Sequence, residues 1–300
     1  MQGVIDHYRI ERIVLAARYG TIAASAMLYD KQQLTTDNGR QTIMTARTIV
    51  ESYGRTIPPD GKPAYFRLHR HRFRALLEAL PPAPARVLEV GTTPGQFTEI
   101  LRRAGYEVAG VDLFPDQRAE LWQRLGVEVR FCNIDEQPLP YDDASFDVVV
   151  FSEVIEHLVA APLGALREMA RVLRPGGRLV LTTPNQFYIK SRLRTLADIV
   201  LSRPFEPFDD FQRAMQLAGP QRYYNHSRLY TLRELRWLVE QSGLHVALAR
   251  CSDAWEQVGV EPGRLLRHPL RVAVKSALWL LTSAVPAWRS MLLVVGVKRG

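Results

Sequence analysis

Arg86-Val87-Leu88-Glu89-Val90 is an apolar run that stops at a turn holding two glycines, Gly91 and Gly95. Such a run reads as a buried parallel strand. Gln96 to Ala104 then reads as a helix that stops at Gly105. Val108-Ala109-Gly110-Val111 makes a second strand and ends on Asp112. Strand, helix and strand in this order build a βαβ unit, which commits the chain to a parallel sheet. Glycines in the first turn let a ligand lie against bare backbone. A carboxylate closing the second strand can accept hydrogen bonds from two neighbouring hydroxyls. The combination points to a nucleoside ligand without saying which.

Two such ligands compete. A dinucleotide site needs Gly-x-Gly-x-x-Gly, with the pyrophosphate on a helix N-terminus. Here the spacing is Gly91-x-x-x-Gly95, and Thr92 stands where the first glycine pair of that fingerprint would begin, so the middle glycine is missing. Glu89 just before the turn would repel phosphate and suit a cation. These residues favour a sulfonium nucleoside over a nicotinamide. A tight turn with no ligand is the third reading.

Further elements follow in order. Val127, Val129 and Phe131 alternate inward on a third strand closed by Asn133-Ile134-Asp135. Phe146 to Ser152 makes a fourth, and Glu153-Val154-Ile155-Glu156-His157-Leu158 opens a helix. Val172-Leu173-Arg174-Pro175-Gly176-Gly177 precedes a fifth strand, Arg178 to Thr183, which ends in Pro184-Asn185. With these runs in this order, the chain resembles the class I S-adenosylmethionine-dependent methyltransferases. It is most similar to the branch with ubiquinone-biosynthesis O-methyltransferases and bacterial glycan and natural-product methyltransferases. The resemblance covers residues 65 to 250 and the last strand. It departs at Thr93, where the family's turn carries its middle glycine; the threonine narrows the turn.

The resemblance implies an α/β fold: a doubly wound, mostly parallel seven-stranded sheet of the Rossmann-like methyltransferase type, with the last strand antiparallel. Residues 1–62 read as a helical extension and 63–300 as the methyltransferase domain. Two insertions interrupt the domain, 187–222 as a lid over substrate and 260–285 as an amphipathic helix. Thr231-Leu232-Arg233-Glu234 is a capping box for a late helix, and Gly243 ends it.

Three hundred residues suit one large domain with appendages. Cys132 and Cys251 sit in strand-like runs and read as buried thiols, which fits a reducing cytoplasm. The net charge of +8 admits an anionic substrate, a membrane surface or nucleic acid. The densest basic run, Arg67 to Arg74, shares its helix with Phe66, Phe73, Leu76, Leu77 and Leu80 and reads as the wet face of a packed helix. No nucleic-acid partner is expected. The segment Arg264–Ser283 has basic residues (Arg264, Arg267, His268, Arg271, Lys275) before an apolar run that is too short to span a bilayer. It suits peripheral membrane contact, packing on the core, or a homodimer interface.

By resemblance, Gly91, Thr92, Thr93 and Gly95 face the methionine part of S-adenosylmethionine, with Glu89 in support. Asp112 holds the ribose and Leu113 lies on the adenine. Asp135 and the amide of Ile134 meet the adenine amino group, and Phe151 and Ser152 line the methionine end. Asp112 also reads as a helix N-cap, and Asp135 as a turn carboxylate. The acceptor is a small molecule, and the expected reaction methylates a hydroxyl of a sugar, lipid-linked glycan or natural-product intermediate. His157, at the carboxyl edge of the sheet, is the expected base and His226 a second. Arg228 is placed to pair with an acceptor phosphate or carboxylate. Glu153, Glu156 and His157 stand at i, i+3 and i+4, a pattern some relatives use for a divalent cation. An ordinary solvated turn is the expectation here, and no metal is assigned.

Overall fold

The computed structural model describes residues 33–37, 40–57, 61–160, 162–204, 208–216, 223–256 and 269–300. Two units separate, Met1–Ala46 and Arg47–Gly300. In the first, Gln33–Asp37 (β1) and Arg40–Met44 (β2) pair antiparallel with Leu34 opposite Ile43. This corrects the expectation of helix for 33–44. Asn38-Gly39 in the sequence, between two short runs that hold three threonines and Ile43, is a hairpin signal. Residues 1–32 lie outside the described residues.

The second unit begins with helix α1 (Ala46–Thr56), which is helical as the sequence suggested. Helix α2 (Pro63–Ala79) starts on a proline whose missing N–H costs nothing there. Strand β3 (Arg86–Val90), helix α3 (Gln96–Arg103) and strand β4 (Glu107–Asp112) form the βαβ unit. A 3₁₀ turn at Pro115–Arg118, α4 (Ala119–Leu125), β5 (Glu128–Phe131) and β6 (Phe146–Ser152) follow. After a second 3₁₀ turn, Ile155–His157, come α5 (Pro162–Val172), β7 (Leu173–Pro184), α6 (Ile189–Val200) and α7 (Phe208–Met215). Helix α8 (Leu232–Gln241), β8 (Leu244–Ser252), α9 (Pro269–Ala284), a turn at Pro286–Trp288 and β9 (Met291–Lys298) complete the chain.

The seven-stranded sheet has the order β5-β4-β3-β6-β7-β9-β8. The first five strands run parallel, and β9 lies antiparallel between β7 and β8. Alternate residues leave on opposite faces. Leu88, Val90, Val149, Phe151, Leu179 and Leu181 join one core cluster with Leu166 and Met169 of α5 and Leu235 and Val239 of α8. Val87, Val148, Val150 and Val180 are equally buried on the other face. Both faces are therefore covered, the doubly wound arrangement expected. The connection reverses direction at β3 and β6, so the crevice of such a sheet opens outside their carboxyl ends.

Three local expectations give way. Phe131 is 55% exposed because β5 is the sheet's outer strand, so the inward alternation of Val127, Val129 and Phe131 does not hold. Asn133-Ile134-Asp135 forms a turn beyond β5 rather than its end. Glu153 opens no helix: its φ of +56° breaks α-geometry, and the next α-helix starts at Pro162. The capping box at Thr231 forms as read, with Glu234 N–H donating to Thr231 Oγ1 and Thr231 N–H to Glu234 Oε2.

Candidate active site

At the switch point lies a cavity of about 130 Å³ lined by Glu89, Gly91, Thr92, Thr93, Gly95 and Ser152 among the residues expected there. Tyr65, Arg72, Glu153 and Val154 also line it, with apolar Phe73, Leu76 and Phe97. The volume is below the roughly 300–1,000 Å³ of whole-ligand pockets, so it fits one end of a ligand. Gly91 adopts φ +81°, and a Cβ there would stand 2.5 Å from Val154 Cγ2. Gly95 serves packing instead, since a Cβ would collide with Leu121 of α4.

The cavity is lined by buried charge. Glu89 is 5% exposed and accepts a 2.6 Å hydrogen bond from Thr98 Oγ1. Burial pushes its carboxyl up to about 8; the Thr98 bond opposes the shift, and Asp112 nearby adds to it. Opposite, Arg72 Nη1 lies 3.3 Å from Glu153 Oε2, and Nη2 donates to the Tyr65 hydroxyl at 3.1 Å. Arg72 Nε and Glu153 Oε1 are buried with no hydrogen-bond partner. An ammonium fits the two acids and a carboxylate fits the guanidinium. The amino-acid end of S-adenosylmethionine carries both groups, so these residues suit that cofactor.

Sequence reasoning missed Arg72, Tyr65 and this role of Glu153. Arg72 is 6% exposed, which corrects the reading of Arg67 to Arg74 as wholly wet. The signal was available: Tyr65, His69, Arg72 and Leu76 fall at i, i+4, i+7 and i+11, one stripe of α2.

Asp112 is 8% exposed and tied to the first turn. Its Oδ2 accepts from Thr93 N–H at 2.9 Å and Thr92 Oγ1 at 3.3 Å, and Oδ1 accepts from Phe114 N–H at 2.9 Å. A carboxylate has about four acceptor positions, so at least one stays open to a ribose hydroxyl. Leu113 is half-buried beside it, and the Phe114 ring meets Tyr224 at 5.7 Å, bringing the 223–230 segment to this edge. Asp135 is turned to Val159 N–H (2.9 Å) and Ala160 N–H (2.9 Å), the turn-carboxylate arrangement. Ile134 and Phe151 sit in the core cluster, while Ser152 Oγ reaches Thr182 Oγ1 at 2.8 Å.

Beyond Val154 the 155–157 turn is clamped to the 225–228 segment: Ser227 N–H and Arg228 N–H donate to Glu156 O at 2.7 and 3.3 Å. The His157 and His226 rings stand edge to face, 4.7 Å apart. His157 Nδ1 lies 3.1 Å from Asn225 O. A carbonyl only accepts, so Nδ1 carries the proton and Nε2 keeps the lone pair in the neutral ring. Burial lowers the His157 pKa and His226 lowers it further, against the pull of the Asn225 and Tyr223 carbonyls. Desolvation lowers His226 as well, with Glu153 opposing. Glu156 is 1% exposed and accepts from Thr183 Oγ1 at 2.8 Å; burial raises its pKa, and Glu153 adds to that.

The Glu153-Glu156-His157 face does not form, because Glu153 turns to Arg72. Among the described residues, Glu156, His157 and His226 bring ligand atoms within 4.8 Å of one another. Arg228 is engaged by Glu234 at 2.8 Å rather than turned to an acceptor. Residues 205–207 and 217–222 of the lid expectation, and Arg264, Arg267 and His268, lie outside the described residues.

The comparisons agree with this geometry. A family model described as a methyltransferase domain matches residues 65–249. A demethylmenaquinone methyltransferase of Thermus thermophilus is 39% identical over 117 residues, 37% of this chain and 53% of that protein. A ubiquinone biosynthesis O-methyltransferase of Xanthomonas axonopodis pv. citri is 39% identical over 36% of this chain and 46% of its own length. A probable S-adenosylmethionine-dependent methyltransferase of Mycolicibacterium smegmatis is 32% identical over 64% of each. The chain spans about half the length of the first of these curated relatives. Among solved structures, a chain of the Haloferax volcanii complex between the Trm112 methyltransferase activator and a methyltransferase candidate superposes with TM-score 0.55. It is 19% identical, over 84% of this chain and 98% of that one, which speaks for the fold. The chain belongs to the methyltransferase domain family, in the class I S-adenosylmethionine-dependent fold that its motifs resemble.

Proposed function

We propose that the chain transfers the methyl group of S-adenosylmethionine to a hydroxyl of a small-molecule acceptor, in a sugar, lipid-linked glycan or natural-product intermediate. The observation that carries the oxygen acceptor is the oriented imidazole of His157 beside the crevice. When bound, the cofactor supplies an electrophilic methyl on a sulfonium, which leaves as a neutral thioether when the acceptor oxygen takes the carbon. Arg72, Glu89 and Glu153 hold the amino-acid end, and Asp112 the ribose. His157 Nε2 takes the hydroxyl proton as the oxygen–carbon bond forms, with Asn225 O bearing on Nδ1–H. The 223–230 segment, clamped through Glu156 O and Tyr224, borders the acceptor. Alignment of this kind supplies roughly 7–11 kcal/mol.

A relative named as a ubiquinone biosynthesis O-methyltransferase supports a second reading, a ring hydroxyl on a lipid-tailed quinol. The test is mass spectrometry of purified protein with labelled cofactor and both acceptor sets. A product heavier by one methylene, formed on a hydroxyl and reduced in His157→Ala, is expected. Binding of the cofactor with no product from either set refutes transfer to these acceptors, and undiminished rate in both His157→Ala and His226→Ala refutes the assignment of the base.

A further inference from the structure

Helix α6 wears its apolar side outward. Ile189, Leu193, Leu196 and Val200 recur at i, i+4, i+7 and i+11, a single stripe. Leu193, Leu196 and Val200 are 53%, 57% and 73% exposed, and no residue of α6 is buried. Asp198, on the opposite side of the helix, has only 14% of its side chain exposed. A helix packed on a protein core does the reverse.

Helix α9 repeats the device with the same spacing, at Leu270, Val274, Ala277 and Leu281. Leu270, Val274 and Leu281 are 78%, 61% and 42% exposed, whereas Val272 and Thr282 point inward at 8% and 1%. The two helices leave one edge of the sheet. Pro184 at the end of β7 pairs with Met291 at the start of β9. Next to it, Asn185 Nδ2 donates to Ala287 O (2.8 Å) and Arg289 O (2.7 Å), and Arg289 Nε donates to Thr282 O of α9. This is the carboxyl edge of β7, the edge on which the crevice opens.

The charge around the stripes is mostly positive. From Ile189 to Arg203 the chain carries Lys190, Arg192, Arg194 and Arg203 against Asp198, which Arg194 pairs. Pro269–Ala284 carries Arg271 and Lys275 and no acid. No described helix is long and apolar enough to cross a membrane. Two outward apolar stripes with cationic flanks match an interface-lying helix pair. A second copy would bring cations against cations.

We infer that α6 and α9 together dock the chain on an anionic lipid bilayer, with the crevice opening beside the headgroups. The sequence left such contact open for residues 264–283, beside packing on the core or a homodimer interface; α6 is the further half of the surface. The inference does not depend on the methyl acceptor.

Co-sedimentation of the full chain with vesicles tests it. Phosphatidylglycerol–phosphatidylcholine vesicles are expected to pull the protein down at low salt, pure phosphatidylcholine far less, and high salt to release it. Leu196→Glu with Val200→Glu on α6, and Leu270→Glu with Val274→Glu on α9, are each expected to lower partitioning at least tenfold. All four positions are exposed, so circular dichroism is expected to be unchanged. Wild-type protein that stays in solution with the anionic vesicles overturns the proposal, as does equal binding by both variants. A dimer seen by light scattering that the same substitutions dissociate, with no vesicle binding, assigns the face to a second copy and also overturns it.

Discussion

Glu89 allows a quantitative test of the cationic-ligand reading. With its carboxyl near 8 in the free protein, it is about nine-tenths protonated at pH 7. A cationic ligand prefers the carboxylate, so binding must expel that proton, about 0.9 per site at pH 7. The cost of ionising it is about 1.4 kcal/mol at pH 7 and about 0.4 kcal/mol at pH 8. Apparent affinity for S-adenosylmethionine is therefore expected to rise about fifty-fold from pH 6 to pH 8 relative to a variant without the group. Glu89→Gln is that variant; it imitates the protonated acid and can keep the Thr98 bond. Calorimetric titrations in two buffers of different ionisation enthalpy give the proton count directly. The ligand's own amino group titrates too, so the quantity read is wild type minus Glu89→Gln. Losing the charged contact is expected to weaken binding at pH 8 by about ten- to a hundred-fold. The stability sign follows from the same shift. An acid raised on folding stabilises least when ionised, so the ligand-free protein is expected to lose stability as pH rises from the ordinary carboxyl range through 8, and Glu89→Gln to lose less. Equal proton release from both proteins, or a flat affinity ratio between pH 6 and pH 8, refutes the reasoning.

Three other outcomes are expected. His157→Ala should lower kcat by about 10² to 10⁴, and because burial and His226 depress its pKa, the acidic limb of the wild-type rate profile should lie below the usual imidazole value; stopped assays across pH check both. Gly91→Ala combines positive φ with a Cβ 2.5 Å from Val154 Cγ2 and should abolish cofactor binding by calorimetry, whereas Gly126→Ala, at φ +59° with nothing within 4 Å of its Cβ, should cost only about 1–2 kcal/mol of strain. Thr231→Ala removes the hydroxyl that accepts from Glu234 N–H, leaving only the backbone half of the capping box, and should lower unfolding free energy by about 1 kcal/mol, read from the urea midpoint.

The strands were legible where burial on both faces leaves an apolar run, continuous in Val148 to Phe151 and broken only by Glu89 in Val87 to Val90. β5 was misread because an outer strand has one side without a neighbour, so alternation in sequence there does not report burial. The hairpin at 33–44 was missed because its short polar strands carry too few apolar residues to set a period, and only the Asn38-Gly39 pair discriminates. The first turn and Asp112 were placed near each other because a βαβ unit leaves little choice. The far wall of the cavity was not legible. Arg72 reads as one more arginine in a basic run, and its burial depends on α2 packing against α3, where Phe73 stacks on Phe97, and on the contact with Glu153, which neighbouring residues do not encode. Glu153 was read as the first residue of a helix; its left-handed backbone turns the side chain toward Arg72.

The same wall explains why a small cavity keeps three buried ionisable groups. Burying Arg72 and Glu153 costs more than an apolar pair of the same size would. Their 3.3 Å contact offsets part of that, yet Arg72 Nε and Glu153 Oε1 remain without partners, and Glu89 responds to burial by holding its proton. Each is a deficit that a zwitterionic ligand end removes: its carboxylate meets the guanidinium, and its ammonium takes the acids. The site is thus strained toward binding in the free protein. Filling the pocket with apolar side chains, as in Arg72→Met with Glu153→Leu, should leave the fold as stable or more so while removing cofactor binding. That pairing of outcomes separates a ligand-directed charge cluster from a structural ion pair.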